Sequence, residues 1–379
     1  MNARAMRSTE VPGSFAAGGV TYRIAGHDDD AAIRELLRSN EMDSWARMSI
    51  EREPSFFHGE NLMGRSTAVI ARRSDPPHQV VGMYSVAVQR THVNGAAVPA
   101  GYLGALRVNP EYRHRLRILQ NGFASARALS GIDELPVFTS LASENFAARR
   151  LLEANLRGMP WYTPVGDVES MGFSTRQGKA GGLLQSAQPA DIPALVDFFN
   201  SAAASWQFAP VLSRQWLTGL QESGGLQLGD FWLLKDGARL CGCVAIWDQR
   251  AFKQIVARGY RFPLGFLRGG YNLYARVTGR LSLPRPGQQL QQVFLSFLAL
   301  DTQAADSVTE IIRETLLIAR QKGALVGTLG LSVKNPLATR LRDSLHASIY
   351  RTQIETIHWP DCPAPLLDGR PPQPEIALL

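Results

Sequence analysis

Cysteine is scarce in this chain of 379 residues, with three copies at positions 241, 243 and 362. Three thiols cannot build a disulfide framework. Cys241 and Cys243 sit inside the apolar run RLCGCVAIW, where alternation places both on one face of a strand. No further metal ligands stand near them in sequence, so no metal site is expected, and buried thiols in the reducing cytoplasm are the reading. Also missing is any run approaching the roughly 18 apolar residues that a membrane-spanning helix needs. The first 19 residues, ending VPGSFAAGG, lack the apolar segment of a secretory signal and read as a flexible leader. Lysine is rare as well: five lysines stand against 35 arginines, and arginine therefore carries the net charge of +7. A basic chain suits nucleic acid, anionic lipid or a phosphorylated cofactor, and charge alone does not choose among them.

What is present is one pattern written twice. YRIAGHDDDAAIRELL at 22–37 parallels LLQSAQPADIPALVDFF at 183–199. In each, Asp precedes a helix whose apolar residues recur every three or four positions. A hairpin follows, TAVIARRSDPPHQVVGMYSVAVQRTHV at 67–93 and FWLLKDGARLCGCVAIWDQR at 231–250, with Asp-Pro-Pro and Lys-Asp-Gly supplying the turns. Finally SLASENFAARRLLEA at 140–154 parallels GLSVKNPLATRLRDS at 330–344, sharing Asn-x-x-Ala-x-x-Leu. Asp29 to Gly82 spans 53 residues and Asp191 to Gly242 spans 51, whereas Gly82 to Asn145 spans 63 and Gly242 to Asn335 spans 93. The second copy thus carries 30 extra residues, placed at 258–289, and the copies divide near 170–182. Each half is expected to be α+β: strand, helix, antiparallel strands, then helix and strand again.

The stretch YLGALRVNPEYRHRLRILQNGFASARAL at 102–129 carries the most chemistry. A strand running into a helix start presents free backbone N–H groups and a positive dipole end, which suits pyrophosphate. Arg113, Arg115 and Arg117 oppose that dipole unless an anion sits in the turn and takes their hydrogen bonds. The helix is expected to bury Leu116, Leu119, Phe123 and Ala126. This stretch resembles motif A of the GNAT superfamily of acyl-CoA-dependent N-acyltransferases: Leu106, Val108, Pro110 and Arg113 fall at matching positions, and Asn145 matches the later Asn-x-x-Ala. Where members have the two glycines of Arg-x-x-Gly-x-Gly, this chain has Leu116 and Ile118. The resemblance covers 22–165 by motif and 183–359 by order of elements.

It implies two GNAT-like domains in tandem, each a mixed, mostly antiparallel sheet flanked by helices. Residues 20–175 would form the domain that binds acyl-CoA, and 182–360 a degenerate copy followed by a Pro-rich tail at 361–379. The implied cofactor-binding set is Leu106, Val108, Arg113, Arg115, Leu116, Arg117, Ile118 and Asn145, with acetyl-CoA or another acyl-CoA as co-substrate and no metal. Asn145 either reaches the pantetheine or caps its helix. The second copy has TQAADSVTEIIRE after its strand, so a phosphate there would meet Asp301 and Asp306, and loss of CoA binding is expected.

Acyl transfer from a thioester to an amine needs the amine held beside it, deprotonated, and a proton for the departing thiolate. The Tyr that serves as acid in many members, seven residues after the Asn, is here Leu152, and Arg342 in the second copy. Tyr162, in GMPWYTPVG, is a substitute acid or a packed strand-start aromatic. Glu144 is a base acting through water or a helix-start charge. The scattered His27, His58, His78, His92 and His114 share no spacing and are read as no ligand set, and His358-Trp359 as part of a closing strand. In the 258–289 insertion, Arg258, Arg261, Arg268, Arg276, Arg280 and Arg285 interleave with Tyr260, Phe262, Phe266, Tyr271 and Tyr274. Such a segment can bind single-stranded nucleic acid, lie on an anionic membrane or close over a substrate; a substrate lid is the favoured reading. The expected function is transfer of an acyl group, acetyl by default, to a small-molecule or peptide amine, with no DNA partner. One rival is a Fem-type aminoacyl-tRNA-dependent transferase, the only reading under which RNA is a partner. The other is a non-catalytic module that binds acyl-CoA.

Overall fold

The computed structural model describes residues 13–43, 45–362 and 364–379. The first half runs β1 (Ser14–Ala17), β2 (Val20–Ile24), α1 (Asp30–Ser39), β3 (Met42–Asp43), β4 (Ala46–Glu51), β5 (Arg65–Arg73), β6 (Val80–Val93), β7 (Ala96–Val108), α2 (Leu116–Ser130), β8 (Val137–Ala142), α3 (Phe146–Leu152) and β9 (Trp161–Ser174). The second half runs β10 (Leu184–Ser186), α4 (Ile192–Ala203), α5 (Arg214–Ser223), β11 (Phe231–Asp236), β12 (Arg239–Trp247), β13 (Gln254–Tyr260), α6 (Leu264–Thr278), β14 (Gln292–Leu300), α7 (Val308–Gln321), β15 (Val326–Ser332), α8 (Pro336–Ser344) and β16 (Ala347–His358). Residues 14–17 of the expected leader pair with β2 instead, as Phe15 packs on Tyr22; residues 1–12 lie outside the described residues.

One sheet of 13 strands crosses both halves in the order β1-β2-β5-β6-β7-β8-β16-β9-β15-β14-β12-β11-β10. Only β7–β8 and β14–β15 are parallel; every other neighbouring pair in it is antiparallel. The last strand of each half is exchanged. β16 lies between β8 and β9 of the first half, while β9 pairs with β15 of the second. The loosened stretch near 170–182 corresponds to the end of β9 and the connection to β10. The series β2-α1-β5-β6-β7-α2-β8-α3-β9 of the first half recurs as β10-α4-β11-β12-β14-α7-β15-α8-β16 in the second; β1, β3 and β4 are particular to the first half, and α5, β13 and α6 to the second.

The core explains the pattern. Tyr22, Leu103, Phe123, Leu129, Leu152, Tyr162 and Ile357 form one cluster that seats α2 and α3 on the first half of the sheet. Ile33, Leu36 and Leu37 seat α1 on the opposite face against Ile70 and Met83. In the second half Ile311, Ile312, Leu316 and Leu341 seat α7 and α8. Tyr102, Phe138, Val168 and Ile354 join Phe199, Leu217 and Phe297 in a cluster below α4 and α5. Cys243 is buried there, and burial pushes its thiol up to about 12.

Asp29 and Asp191 do not cap the first turn of their helices through side chains. Each carboxylate instead accepts the backbone N–H three residues upstream, from Gly26 and Gln188, and pairs with a strand cation. Asp29 meets Arg23 and Arg72; Asp191 meets Lys235.

The insertion differs from a long loop. β13 crosses to the first half and pairs with β4, making a separate three-stranded sheet β13-β4-β3. Arg258 seals that crossing through Glu51 and Ser49. α6 then covers 15 residues.

Candidate functional site

β7 and β8 pair at only two positions, Gly101↔Val137 and Tyr102↔Phe138. The Thr139 hydroxyl adds a bond to the Leu103 carbonyl, 2.7 Å, and beyond this apex no further β7–β8 register exists. A bulge at Ala105, whose φ is +50°, turns β7 aside as the strands part. Two parallel strands that diverge expose main-chain groups on both walls, which an extended amide-rich ligand can satisfy. Leu106 and Val108 lie on the β7 wall, half-buried against the α2 cluster.

Above the opening, Asn109 accepts from Glu111 N–H and opens a short turn over Pro110–Tyr112, which delays α2 to Leu116. This shift explains a difference from the sequence expectation. Leu116 is exposed, while Ile118 is buried and its carbonyl accepts from the Tyr22 hydroxyl at 2.8 Å. Phe123 and Ala126 are buried as expected. The first turn of α2 has no side-chain cap and no acidic residue. Arg113, Arg115 and Arg117 are exposed around it; Arg113 donates to Asn40 Oδ1 at 2.8 Å and Arg115 lies over the Tyr112 ring.

Two groups of polar side chains flank the opening on opposite faces of the sheet. On the α2–α3 face, Tyr162 is buried edge-on to Phe123, level with Val137 across β16 and so just below the apex. Glu355 stands beside it, paired across β16 with Thr139, and its charge acts on the Tyr162 hydroxyl. Burial, with Glu355 adding, raises the Tyr162 hydroxyl above its ordinary range. The Glu355 carboxylate is fully buried and neither oxygen has a hydrogen-bond partner. Burial pushes it up to about 7, Glu153 of the adjacent segment adding and Arg149 opposing. On the opposite face, Tyr102 donates to or accepts from Ser140 at 2.8 Å. Arg107 is half-buried, donates to the Leu106 carbonyl and lies within electrostatic reach of Tyr102 and Tyr350. Burial lowers the Arg107 guanidinium, and burial together with Glu144 raises the Tyr350 hydroxyl. The chain between α1 and β4 closes this side: Met42 approaches the Tyr350 hydroxyl and the Trp45 carbonyl accepts from Arg261 N–H at 3.0 Å.

The structure therefore brings Leu106, Val108, Arg113, Arg115, Leu116 and Arg117 to one opening, with Glu144 on its rim and Tyr162 below its apex. Ile118 points into the core instead. Asn145 caps α3, accepting from Ala148 N–H at 3.2 Å. Arg107, Tyr350 and Glu355 were not singled out from the sequence. Arg107 occupies the middle of Leu-x-Val, a position that reads as the solvent side of a strand. Tyr350 and Glu355 reach the first half only through the strand exchange. Among the described residues no group of three or more His, Cys, Asp or Glu is placed to hold a metal ion.

Buried Glu355 makes stability depend on pH. Its proton is held in the folded chain up to about 7, whereas the unfolded chain loses it near the ordinary glutamate value of 4.5. The folded state binds more protons in this window, so stability is full below it, falls as pH rises through it and stays low above. The shift corresponds to a loss on the order of 3 kcal/mol. Urea unfolding of Glu355→Gln is expected to show this decline abolished and a higher midpoint than the parent above about pH 7.

The second half has the same geometry with a different filling. β14 and β15 pair from Gln292↔Val326 to Phe294↔Thr328 and then part, with a bulge at Phe297, φ +54°. Residues 373–376 bridge this opening. Glu375 accepts the Phe297 N–H at 2.8 Å, Gln373 accepts the Ser332 N–H, and Ile376 packs on Gly330 so closely that a Cβ there would stand 2.3 Å from its Cγ2. A cavity of about 240 Å³ remains beside the tail, walled by Trp206, Phe297, Leu331 and Glu375. At the α7 start, Asp301 caps Ala304 N–H and pairs with Arg239, and Asp306 pairs with Arg340.

No family model matches the chain, and no curated protein matches it in sequence. Solved structures do match it in fold. Saccharomyces cerevisiae N-myristoyltransferase with bound myristoyl-CoA superposes with a TM-score of 0.60 at 11% identity, over 94% of this chain and 88% of that one. A GCN5-related N-acetyltransferase from Sphaerobacter thermophilus gives 0.54 at 12% identity, over 95% and 99%. The glucosamine N-acetyltransferase region of a fungal multi-domain β-N-acetylglucosaminidase gives 0.56 at 11% identity, over 90% of this chain and 38% of that one. The chain shares the fold of these structures, with its two repeated halves in one sheet, and the match to the yeast N-myristoyltransferase runs over nearly the whole chain.

Proposed function

We propose that this protein is an acyl-CoA-dependent N-acyltransferase whose donor lies in the first half, between β7 and β8. The observation that carries the reading is the contrast between the two openings. The first is topped by an uncapped helix start ringed by Arg113, Arg115 and Arg117. The second is topped by Asp301 and Asp306 and bridged by the chain itself. An anion with an extended amide arm fits the first and not the second. The bound myristoyl-CoA of the yeast neighbour supports a CoA thioester as donor.

In this reading the pyrophosphate meets the α2 start and the arginines, and the pantetheine runs down the walls at Leu106 and Val108. The thioester carbon then stands near the apex. The amine approaches from the face of Arg107 and Tyr350, where Glu144 removes a proton through water. Nitrogen attacks the thioester carbon, the C–N bond forms as the C–S bond breaks, and the thiolate takes a proton from Tyr162. Burial keeps the Tyr162 hydroxyl protonated, so it meets the thiolate as a hydrogen-bond donor, while the same burial makes it a weaker acid than in water. Glu355, beside it, would accept that hydroxyl as a partner when ionised. The donor is taken as acetyl-CoA or a longer acyl-CoA, and the acceptor as a small-molecule or peptide amine.

The test is thiol release from acetyl-CoA and from longer acyl-CoAs across a panel of amines and amine-terminal peptides. Turnover with at least one pair is expected, with Tyr162→Phe reducing kcat by about 10²-fold or more. Absence of turnover with every pair, in a protein that still binds acyl-CoA, would leave only the binding-module reading.

A further inference from the structure

We propose that α6 and the residue pair before it dock this protein on an anionic bilayer surface. The helix is held from one side only. Its inner face places Leu264, Arg268, Tyr271, Asn272 and Ala275 toward the body, and Ala275 is fully buried. The Asn272 amide exchanges two bonds with Leu283, at 2.9 and 2.7 Å, and Tyr260 donates to the Pro284 carbonyl at 2.8 Å. These contacts fix the helix as a surface.

The outer face is apolar. At helical spacing Phe266, Leu273 and Val277 fall in one stripe, 87%, 66% and 82% exposed, and Phe262 just before the helix is 90% exposed. Leu267 and Tyr274 widen the stripe on one side. Arg276 borders it on the other, and Arg280, past the helix end, lies over the Tyr274 ring; both are exposed. Between Asp248 and Asp301 the chain contains no acidic residue at all, against eight cations. A fixed apolar stripe edged by arginine and free of carboxylates matches the boundary between acyl chains and anionic headgroups. Leu and Val in the stripe have no ring for a base to stack on, which argues against single-stranded RNA. A second copy packed stripe to stripe would set arginines against arginines, which argues against self-association.

Co-sedimentation with phosphatidylcholine vesicles, with and without phosphatidylglycerol, tests this on the full chain. The protein is expected to pellet with the phosphatidylglycerol vesicles, weakly with phosphatidylcholine alone, and less at high salt. The triple variant Phe262→Ser/Phe266→Ser/Val277→Ser changes only exposed positions, so its unfolding midpoint should match the parent, while pelleting falls on the order of tenfold. Arg276→Gln/Arg280→Gln should lose the preference for phosphatidylglycerol. No pelleting of the parent with anionic vesicles overturns the proposal, as does a triple variant that pellets like the parent. So does a concentration-dependent dimer abolished by the triple variant without vesicle binding, or RNA binding that replaces it.

Discussion

Replacing Arg113 and Arg117 together by Ala is expected to weaken acyl-CoA binding by about 100-fold in calorimetric titration. Each guanidinium is expected to give one charge-assisted bond to phosphate, worth about 1.5–3 kcal/mol, so loss of both costs about 3 kcal/mol or more. Both side chains are exposed, and Arg113 gives up only its bond to Asn40. The unfolding midpoint should therefore change little. This separates a lost anion site from a damaged fold. The matching double substitution in the second half, Asp301→Ala/Asp306→Ala, should leave acyl-CoA affinity unchanged. Equal affinity in parent and Arg variant would remove the α2 start from the donor site.

The second large effect concerns the tail. Ile376 and Leu378 are each 8% exposed, inserted beside the opening of the second half. Truncation of a buried Leu or Ile to Ala costs about 2–5 kcal/mol. Ile376→Ala/Leu378→Ala is thus expected to lose about 4 kcal/mol or more in urea unfolding, a large part of the stability of an ordinary domain. The neighbouring polar anchors add to this: Glu375 on Phe297, and Lys253 Nζ on the Leu379 and Ala377 carbonyls at 2.6 and 3.2 Å. Burial raises the Glu375 carboxyl and lowers the Lys253 ammonium to about 7, a desolvation cost that offsets part of what their bonds contribute. A double variant as stable as the parent would mean that the tail merely lies on the surface.

Much of the fold was legible because it is written twice. The helices after Asp29 and Asp191, the hairpin turns at Asp-Pro-Pro and Lys-Asp-Gly, and the Asn-x-x-Ala helices all recur in the structure in that order. The exchange of β9 and β16 was not legible, because both strands read alike as closing strands and nothing local says which half each will join. That exchange carries Tyr350 and Glu355 to the first opening, some 200 residues from their neighbours there in sequence. The arginines of the α2 start could be found because they violate a local rule, cations at a positive dipole end. Arg107 violates none and was passed over. The Asn109 cap and Pro110 favour a separate short turn first, which moves the start of α2 to Leu116. That shift exchanges the roles of Leu116 and Ile118.

The most direct measurement is a crystal structure of the protein grown with CoA. The account predicts continuous density for pantetheine between β7 and β8, pyrophosphate at the start of α2 within reach of Arg113 and Arg117, and residues 373–376 still bridging β14 and β15. Density between β14 and β15 with the tail displaced, or no density at either opening at saturating CoA, would contradict it.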